Sequence, residues 1–322
     1  MELVERMLGG ALQPLSRLIS LVERESSEVT AIMKAIYPHL GGAYSIGITG
    51  PPGGGKSTLV DRLTAVARSK GLSVGIIAVD PTSPFSGGAL LGDRIRMQQH
   101  YLDSEVFIRS MATRGSHGGL PSTTRNVMKL LDAFGKDIIL VETVGVGQTE
   151  LDIMETVDTT MVALMPEAGD AIQTMKAGLM EIADIFVVNK ADRPGADRLV
   201  VELKSMLMLS PRANQWQPPI LSTQAINDVG IEELYREAER HREFLGSSGE
   251  LLRRRQQQRK EEFLRAVEHR LRNRLSVLMI GNARLRSLLA EVENGEIDPY
   301  SAVEIMESEA LSRGWLPYRA AR

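Results

Sequence analysis

The sequence predicts an α/β fold: a mostly parallel central sheet flanked by helices, with a helical segment before it and a helical extension after it. Three observations carry this. Six short β-rich apolar runs, AYSIGIT, LSVGIIAVD, DIILVET, TTMVALM, DIFVVNK and PPILST, are separated by longer stretches, several with helical spacing. Near-continuous apolar strands of this kind fit a parallel sheet covered on both faces, and strand–helix alternation fits right-handed crossovers. Towards both ends, apolar residues recur instead at three- and four-residue spacing.

The elements follow in order. PLSRLISLVER and SSEVTAIMKAIYPHL read as amphipathic helices, so residues 1–42 form an N-terminal helical segment. The strand-bearing core runs over 43–245. GSSGE at 246–250 reads as a turn or linker, and 246–322 as a helical region. Within it, Leu264, Val267, Leu271, Leu275 and Leu278 line one face of a long helix with a polar back. Asp298 is placed to N-cap a further helix with Pro299 in its first turn.

Composition bounds the function. The 322 residues are 43% apolar and 25% charged, which suits a globular chain with a sizeable core. The net charge of −3 provides no global attraction for nucleic acid or an anionic membrane. With no cysteine, disulfides and thiolate metal sites are excluded. No basic leader with an apolar run opens the chain, and no apolar run reaches bilayer length, so a cytoplasmic location is expected.

The chemistry begins at GITGPPGGGKST, residues 47–58, which has five glycines in nine residues followed by a lysine and two hydroxyls. Gly50, Pro51, Pro52, Gly53, Gly54, Gly55, Lys56, Ser57 and Thr58 spell G-x-x-x-x-G-K-[ST] with one further hydroxyl. YSIGIT before it reads as a strand and STLVDRLTAVARSK after it as a helix, the context a P-loop requires. Glycine lets backbone N–H groups turn toward phosphate oxygens, and the helix N-terminus adds partial positive charge. Lys56 is expected to reach the β- and γ-phosphates and the Ser57 hydroxyl to bind Mg²⁺. The loop carries little side chain because its backbone is the ligand.

FVVNKAD then puts Asn189, Lys190 and Asp192 at a strand end, spelling N-K-x-D. A carboxylate can accept from both N1–H and the exocyclic amine of guanine, a donor pair adenine lacks, and the Lys190 stem can cover the base plane. GTP is therefore expected over ATP. STQAIND, after the last strand, is expected to supply a second base loop from Gln224, Ala225 and Ile226, with the backbone N–H near Ala225 meeting guanine O6. Carboxylates also close two strands, Asp80 in GIIAVD and Glu142 in IILVE, where α/β sheets bind ligands. Such groups can ligate Mg²⁺ or orient its water. Asp93, in GGALLGDRIRM, lies in a Gly-rich loop that could reach the nucleotide or could instead cap a helix. Gly145 in ETVG offers an N–H to the γ-phosphate. Val146 stands where Ras-like enzymes carry the water-orienting glutamine, and Gln148 is close but displaced.

GITGPPGGGKST, AVDPTSPFSGGALLGDRIRM, VETVGVGQTE, PEAGDAIQTMKAG, VVNKAD and WQPPI together resemble the P-loop GTPases of the MeaB/ArgK/MMAA type. These are GTPase chaperones of adenosylcobalamin-dependent acyl-CoA mutases, chiefly methylmalonyl-CoA mutase, and the resemblance covers nearly the whole chain. It implies a Mg²⁺-dependent GTPase that gates cofactor loading, protection and reactivation of such a mutase. It implies a homodimer built through the C-terminal helices, and that Ser57, Asp80, Asp93 and Glu142 gather around Mg²⁺ and the γ-phosphate. The loop 166–178, with Asp170 and Lys176, resembles the family's third switch, which links nucleotide state to the partner. Ala171 and Gln224 depart from the family's usual residues. No D-x-H-x-x-G marks a cobalamin site in this chain.

Three other readings share the nucleotide core, one of them a nucleotide-binding scaffold without turnover. A nickel-type metal-insertion GTPase needs Cys/His ligands, whereas the five histidines (His39, His100, His117, His241, His269) are scattered. An amino-acid-transport-linked kinase would need a phosphoacceptor that none of the motifs requires.

Overall fold

Seven parallel strands form the sheet of the computed structural model, which describes residues 1–80, 97–113, 120–121, 123–145, 149–166, 182–209 and 216–312. In chain order they are β1 (Tyr44–Thr49), β2 (Val74–Asp80), β3 (Val106–Ala112), β4 (Ile138–Glu142), β5 (Thr159–Leu164), β6 (Ile185–Asn189) and β7 (Ile220–Thr223). Their spatial order is β3-β2-β4-β1-β5-β6-β7. The six expected runs are all strands. The seventh, β3, is half-buried along most of its length and pairs, among the described strands, with β2 alone; Arg109 and Ser110 interrupt its apolar run.

Helices cover both faces. On one face α1 (Glu2–Leu8), α2 (Leu12–Glu23) and α3 (Val29–Ile36) pack with α5 (Thr124–Ala133) over Ile77, Val79, Ile139 and Val141. On the other, α4 (Lys56–Ser69) and α8 (Ile231–Ser247) pack over Ile46, Ile48, Ile76, Leu140 and Val187. The alternation of β1 between the two faces follows from the two-residue period of a strand. The remaining helices are α6 (Thr149–Met154), α7 (Ala196–Leu209), α9 (Glu250–Gly281), α10 (Ala283–Glu293) and α11 (Pro299–Ser312). Asp298 does cap α11, its carboxylate accepting from the N–H groups of Tyr300 and Ser301 at 3.0 Å. No described helix is long and apolar enough to cross a membrane.

The described chain divides into two compact units, Met1–Arg255 and Gln256–Arg322. The first runs past the GSSGE turn because the start of α9 is bonded into the N-terminal edge of the sheet. Asp158, just before β5, accepts from Arg255 Nε and Nη2 at 2.9 Å each, and from the Ser45 N–H and hydroxyl at 2.9 Å each. Asp184, just before β6, accepts from Arg254 Nη1 and Nη2 at 3.1 and 3.0 Å and from the Thr160 N–H at 2.8 Å. Two buried carboxylates thus have fork-shaped cationic partners and backbone donors together, the arrangement that makes burial of charge tolerable.

His241 of α8 sits in the same cluster with 0% of its surface exposed. Its Nδ1 is 2.8 Å from Thr159 Oγ1 and its Nε2 3.4 Å from Asp184 Oδ1. Burial pushes its pKa down to about 4, with Asp184 opposing the shift and Arg254 adding to it. Because the folded pKa lies below the unfolded value near 6.5, unfolding takes up a proton between these limits. The stability His241 contributes is fully present above pH 6.5 and is lost as pH falls toward 4, by about 3 kcal/mol. In denaturant titrations from pH 7 to 4, His241→Gln should flatten this part of the wild-type decline; an identical decline would show that other groups cause it.

Candidate nucleotide site

The site lies along the C-terminal edge of the sheet, where parallel pairing brings the ends of β1, β2, β4, β5 and β6 together. β1 ends at Thr49, residues 50–55 turn, and α4 starts at Lys56. Gly50, Gly53 and Gly55 have φ of +131°, +78° and +81°. At Gly50 the constraint is also steric, since a Cβ there would overlap the Ala163 carbonyl oxygen of β5. The Lys56 ammonium is held within the loop, 2.9 Å from Gly50 O and 3.0 Å from Pro51 O. Gly145 (φ +84°) lies against the same loop, and a Cβ on it would overlap Gly50 O. Ser57 and Glu142, 85 residues apart, meet as the hydroxyl donates to Oε1 at 2.6 Å. Asp80 closes the strand next to Glu142 and is buried with it.

The base-side residues are joined by Asn189. Its amide donates to Gly54 O at 2.9 Å, while its Oδ1 accepts from Thr223 Oγ1 and from the Ala225 N–H, both at 3.1 Å. The side chain thus ties the phosphate loop to the loop at 224–227. The Ala225 N–H that the sequence reading assigns to guanine O6 donates here to Asn189. Lys190 has φ +56° and its Nζ is 3.9 Å from Met165 Sδ, at the end of β5. Asp192 and Ile226 are exposed, while Gln224 pairs with Val229 as an isolated antiparallel bridge. Asp93, Gln148, Asp170 and Lys176 lie outside the described residues.

Sequence reasoning missed three further participants. Met165 touches both the Lys190 ammonium and the space beside Gly53. Thr143 ties β4 to β1 through its hydroxyl, 2.8 Å from Thr49 Oγ1. Asp61, one turn below Ser57 on α4, is a buried carboxylate. None belongs to a local motif, so no signal in the sequence singled them out.

A strand–loop–helix phosphate cradle, with carboxylates at two adjoining strand ends and an Asn189-anchored base loop, defines a P-loop GTPase. The chain belongs to the family described as methylmalonyl-CoA mutase-associated GTPase MeaB, whose model matches residues 15–279. It is 50% identical over 316 residues to a Pyrococcus abyssi protein provisionally described as a GTPase, covering 97% of both chains. It is 32% identical to the mouse methylmalonic aciduria type A homolog, mitochondrial, over 84% of this chain and 66% of that one. A crystal structure of a LAO/AO transport system kinase superposes with a TM-score of 0.70 at 29% identity, covering 96% of this chain and 97% of that one.

Gly50→Ala should weaken GDP binding by about 100-fold or more, because a displaced loop loses several phosphate-facing N–H groups at once. A fluorescent-GDP titration checks this, and near-wild-type affinity would mean that β5 yields to the added methyl.

Proposed function

We propose that this GTPase is a chaperone that gates cofactor loading and the protection or reactivation of an adenosylcobalamin-dependent acyl-CoA mutase, methylmalonyl-CoA mutase or a relative. The observation that carries the reading is the match of residues 15–279 to a family described as mutase-associated. The bound nucleotide acts as a switch: GTP and GDP favour different conformations, and the partner responds to the difference.

The donor set suits Mg²⁺, a hard cation held by few protein oxygens plus substrate phosphates. Ser57 Oγ bonds Glu142, and Asp80 closes the adjoining strand; all three are oxygen donors, with no His among them. With Asp93 they would hold the ion, which when bound supplies charge to stabilise the developing phosphate oxygens. Lys56 and the N–H groups of 53–57 bind the phosphates, the Gly145 N–H meets the γ-phosphate, and Asp192 reads guanine. The loop 166–178, through Asp170 and Lys176, and Gln148 couple the site to the mutase. Two copies of the chain pair through the region 246–322; exposed Phe263, Leu264, Val267 and Leu271 on α9 support this. A cytoplasmic location belongs to the same reading. Protein phosphorylation is the second reading, favoured only by the description of the superposed transport-system kinase.

Two measurements test this. GTP turnover should rise when a cobalamin-dependent acyl-CoA mutase is added, and Lys176→Ala should keep the unstimulated rate while losing the stimulation. No response to the mutase, with phosphate appearing on a protein instead, would favour the kinase. Glu142→Ala should lower turnover by about 100-fold, the order for removing one electrostatic or proton-handling group, while GDP affinity stays near wild type. A wild-type rate would remove Glu142 from the mechanism.

A further inference from the structure

β1 and β4 lie side by side, and their pairing runs out where the nucleotide site begins. The last residues in register are Ile48 and Glu142, and the Thr143 N–H then donates to Ile48 O at 3.1 Å. A side-chain bond follows it, from the Thr143 hydroxyl to Thr49 Oγ1 at 2.8 Å. Thr49 is 0% and Thr143 2% exposed. Side chains alternate along a strand, so Thr49 shares a face with Gly47 and not with Ile48. Ile48 packs in the cluster under α4, whereas a Cβ on Gly47 would meet Ile153 and Val157 of the opposite cluster. Glu142 meets Ser57 on the α4 side. The exit of β4 is therefore held from both faces of the sheet, through Glu142 on one and Thr143 on the other.

Both threonines adjoin groups of the site. Thr49 immediately precedes Gly50, the first glycine of the phosphate loop. Thr143 follows Glu142 and stands two residues before Gly145, whose φ of +84° lays it against Gly50 O and the Lys56 ammonium. A bond between the two hydroxyls thus joins the residue before the loop to the segment that carries Glu142 and Gly145. We propose that Thr143, anchored on Thr49, is a positioning residue that sets Glu142 and Gly145 against the phosphate loop and so gives the site its response to the γ-phosphate. The proposal rests on the reading of Glu142 and Gly145 as the groups that face Mg²⁺ and the γ-phosphate.

GDP has no γ-phosphate, and Lys56 with the N–H groups of 53–57 suffices for the phosphates it has. Displacing 142–145 therefore weakens GTP binding and turnover while sparing GDP. A hydroxyl pair that served stability alone would behave differently. Removing one partner leaves a buried hydroxyl unsatisfied and lowers stability, whereas replacing both by apolar groups of the same shape is close to neutral. A valine at each position thus repairs a stability defect. It does not repair a positioning defect, because two methyl groups pack without the distance and angle that a hydrogen bond imposes.

The test uses the full-length chain with Mg²⁺. Affinities for GDP and for the non-hydrolysable GTP analogue GMPPNP are measured beside steady-state GTP hydrolysis and melting temperature. Thr143→Val should weaken GMPPNP binding and lower kcat by about fivefold or more each, the order of one net hydrogen bond, while GDP affinity stays near wild type. Thr49→Val should do the same, and Thr143→Ser, which keeps the hydroxyl, should restore most of both. The double variant Thr49→Val/Thr143→Val should melt no lower than either single variant yet keep their loss of turnover, since all three lack the same bond. Wild-type GMPPNP affinity and kcat in Thr143→Val would overturn the proposal. So would an equal loss of GDP affinity, a Thr143→Ser variant as slow as Thr143→Val, or recovery of turnover in the double variant. Glu142→Ala reports on the underlying reading separately: intact turnover there would sink that reading, whereas lost turnover there beside wild-type Thr49→Val and Thr143→Val would sink only the threonine pair.

Discussion

The site depends on one close approach, the phosphate loop lying directly on the end of β5 and beside Gly145. Gly50 has no room for a Cβ because Ala163 O occupies that space, and Gly145 has none because Gly50 O does. Three backbone segments therefore stack where the sheet ends, and side chains are admitted only around them. Lys56, Ser57, Glu142 and Asp80 fill those surrounding positions and are all buried. A parallel sheet makes this stacking available, since it delivers every strand's C-terminus to one edge.

Asn189 converts this stack into a nucleotide site with two halves. By bonding Gly54 O, 135 residues before it, and Thr223 Oγ1 and the Ala225 N–H, 34 and 36 residues after it, it makes the phosphate cradle and the 224–227 loop one assembly. The neighbouring Lys190 can then present its stem from a left-handed backbone, a strained choice for a non-glycine residue that its packing against Met165 helps to hold.

The opposite edge of the sheet shows how charge is used structurally. Asp158 and Asp184 each stand just before a strand and each accept a bidentate arginine from the start of α9. Losing one partner would leave a buried charge uncompensated, at about 3–5 kcal/mol. These pairs make residues 250–255 part of the first compact unit even though the helix continues far beyond them.

The sequence by itself determined the strand runs, the flanking helices, the P-loop and N-K-x-D, because each rests on periodicity or on spacing within a dozen residues. Strand period, helix period and the need for glycine at positive φ are local properties of the chain. Only the tertiary structure decided that β3 completes the sheet, because Arg109 and Ser110 interrupt its apolar run and the Arg109 partner, Glu23 of α2, lies 86 residues away. It alone decided that Ser57 meets Glu142, that the Ala225 N–H meets Asn189, that Asp61 meets His100, and that Arg254 and Arg255 belong with Asp184 and Asp158. In each of these pairs the partners are 36 to 97 residues apart. Over that distance a sequence records the charge or hydrogen-bonding group of each residue but not its neighbour, which is set by the strand order and by the helix faces that close on it.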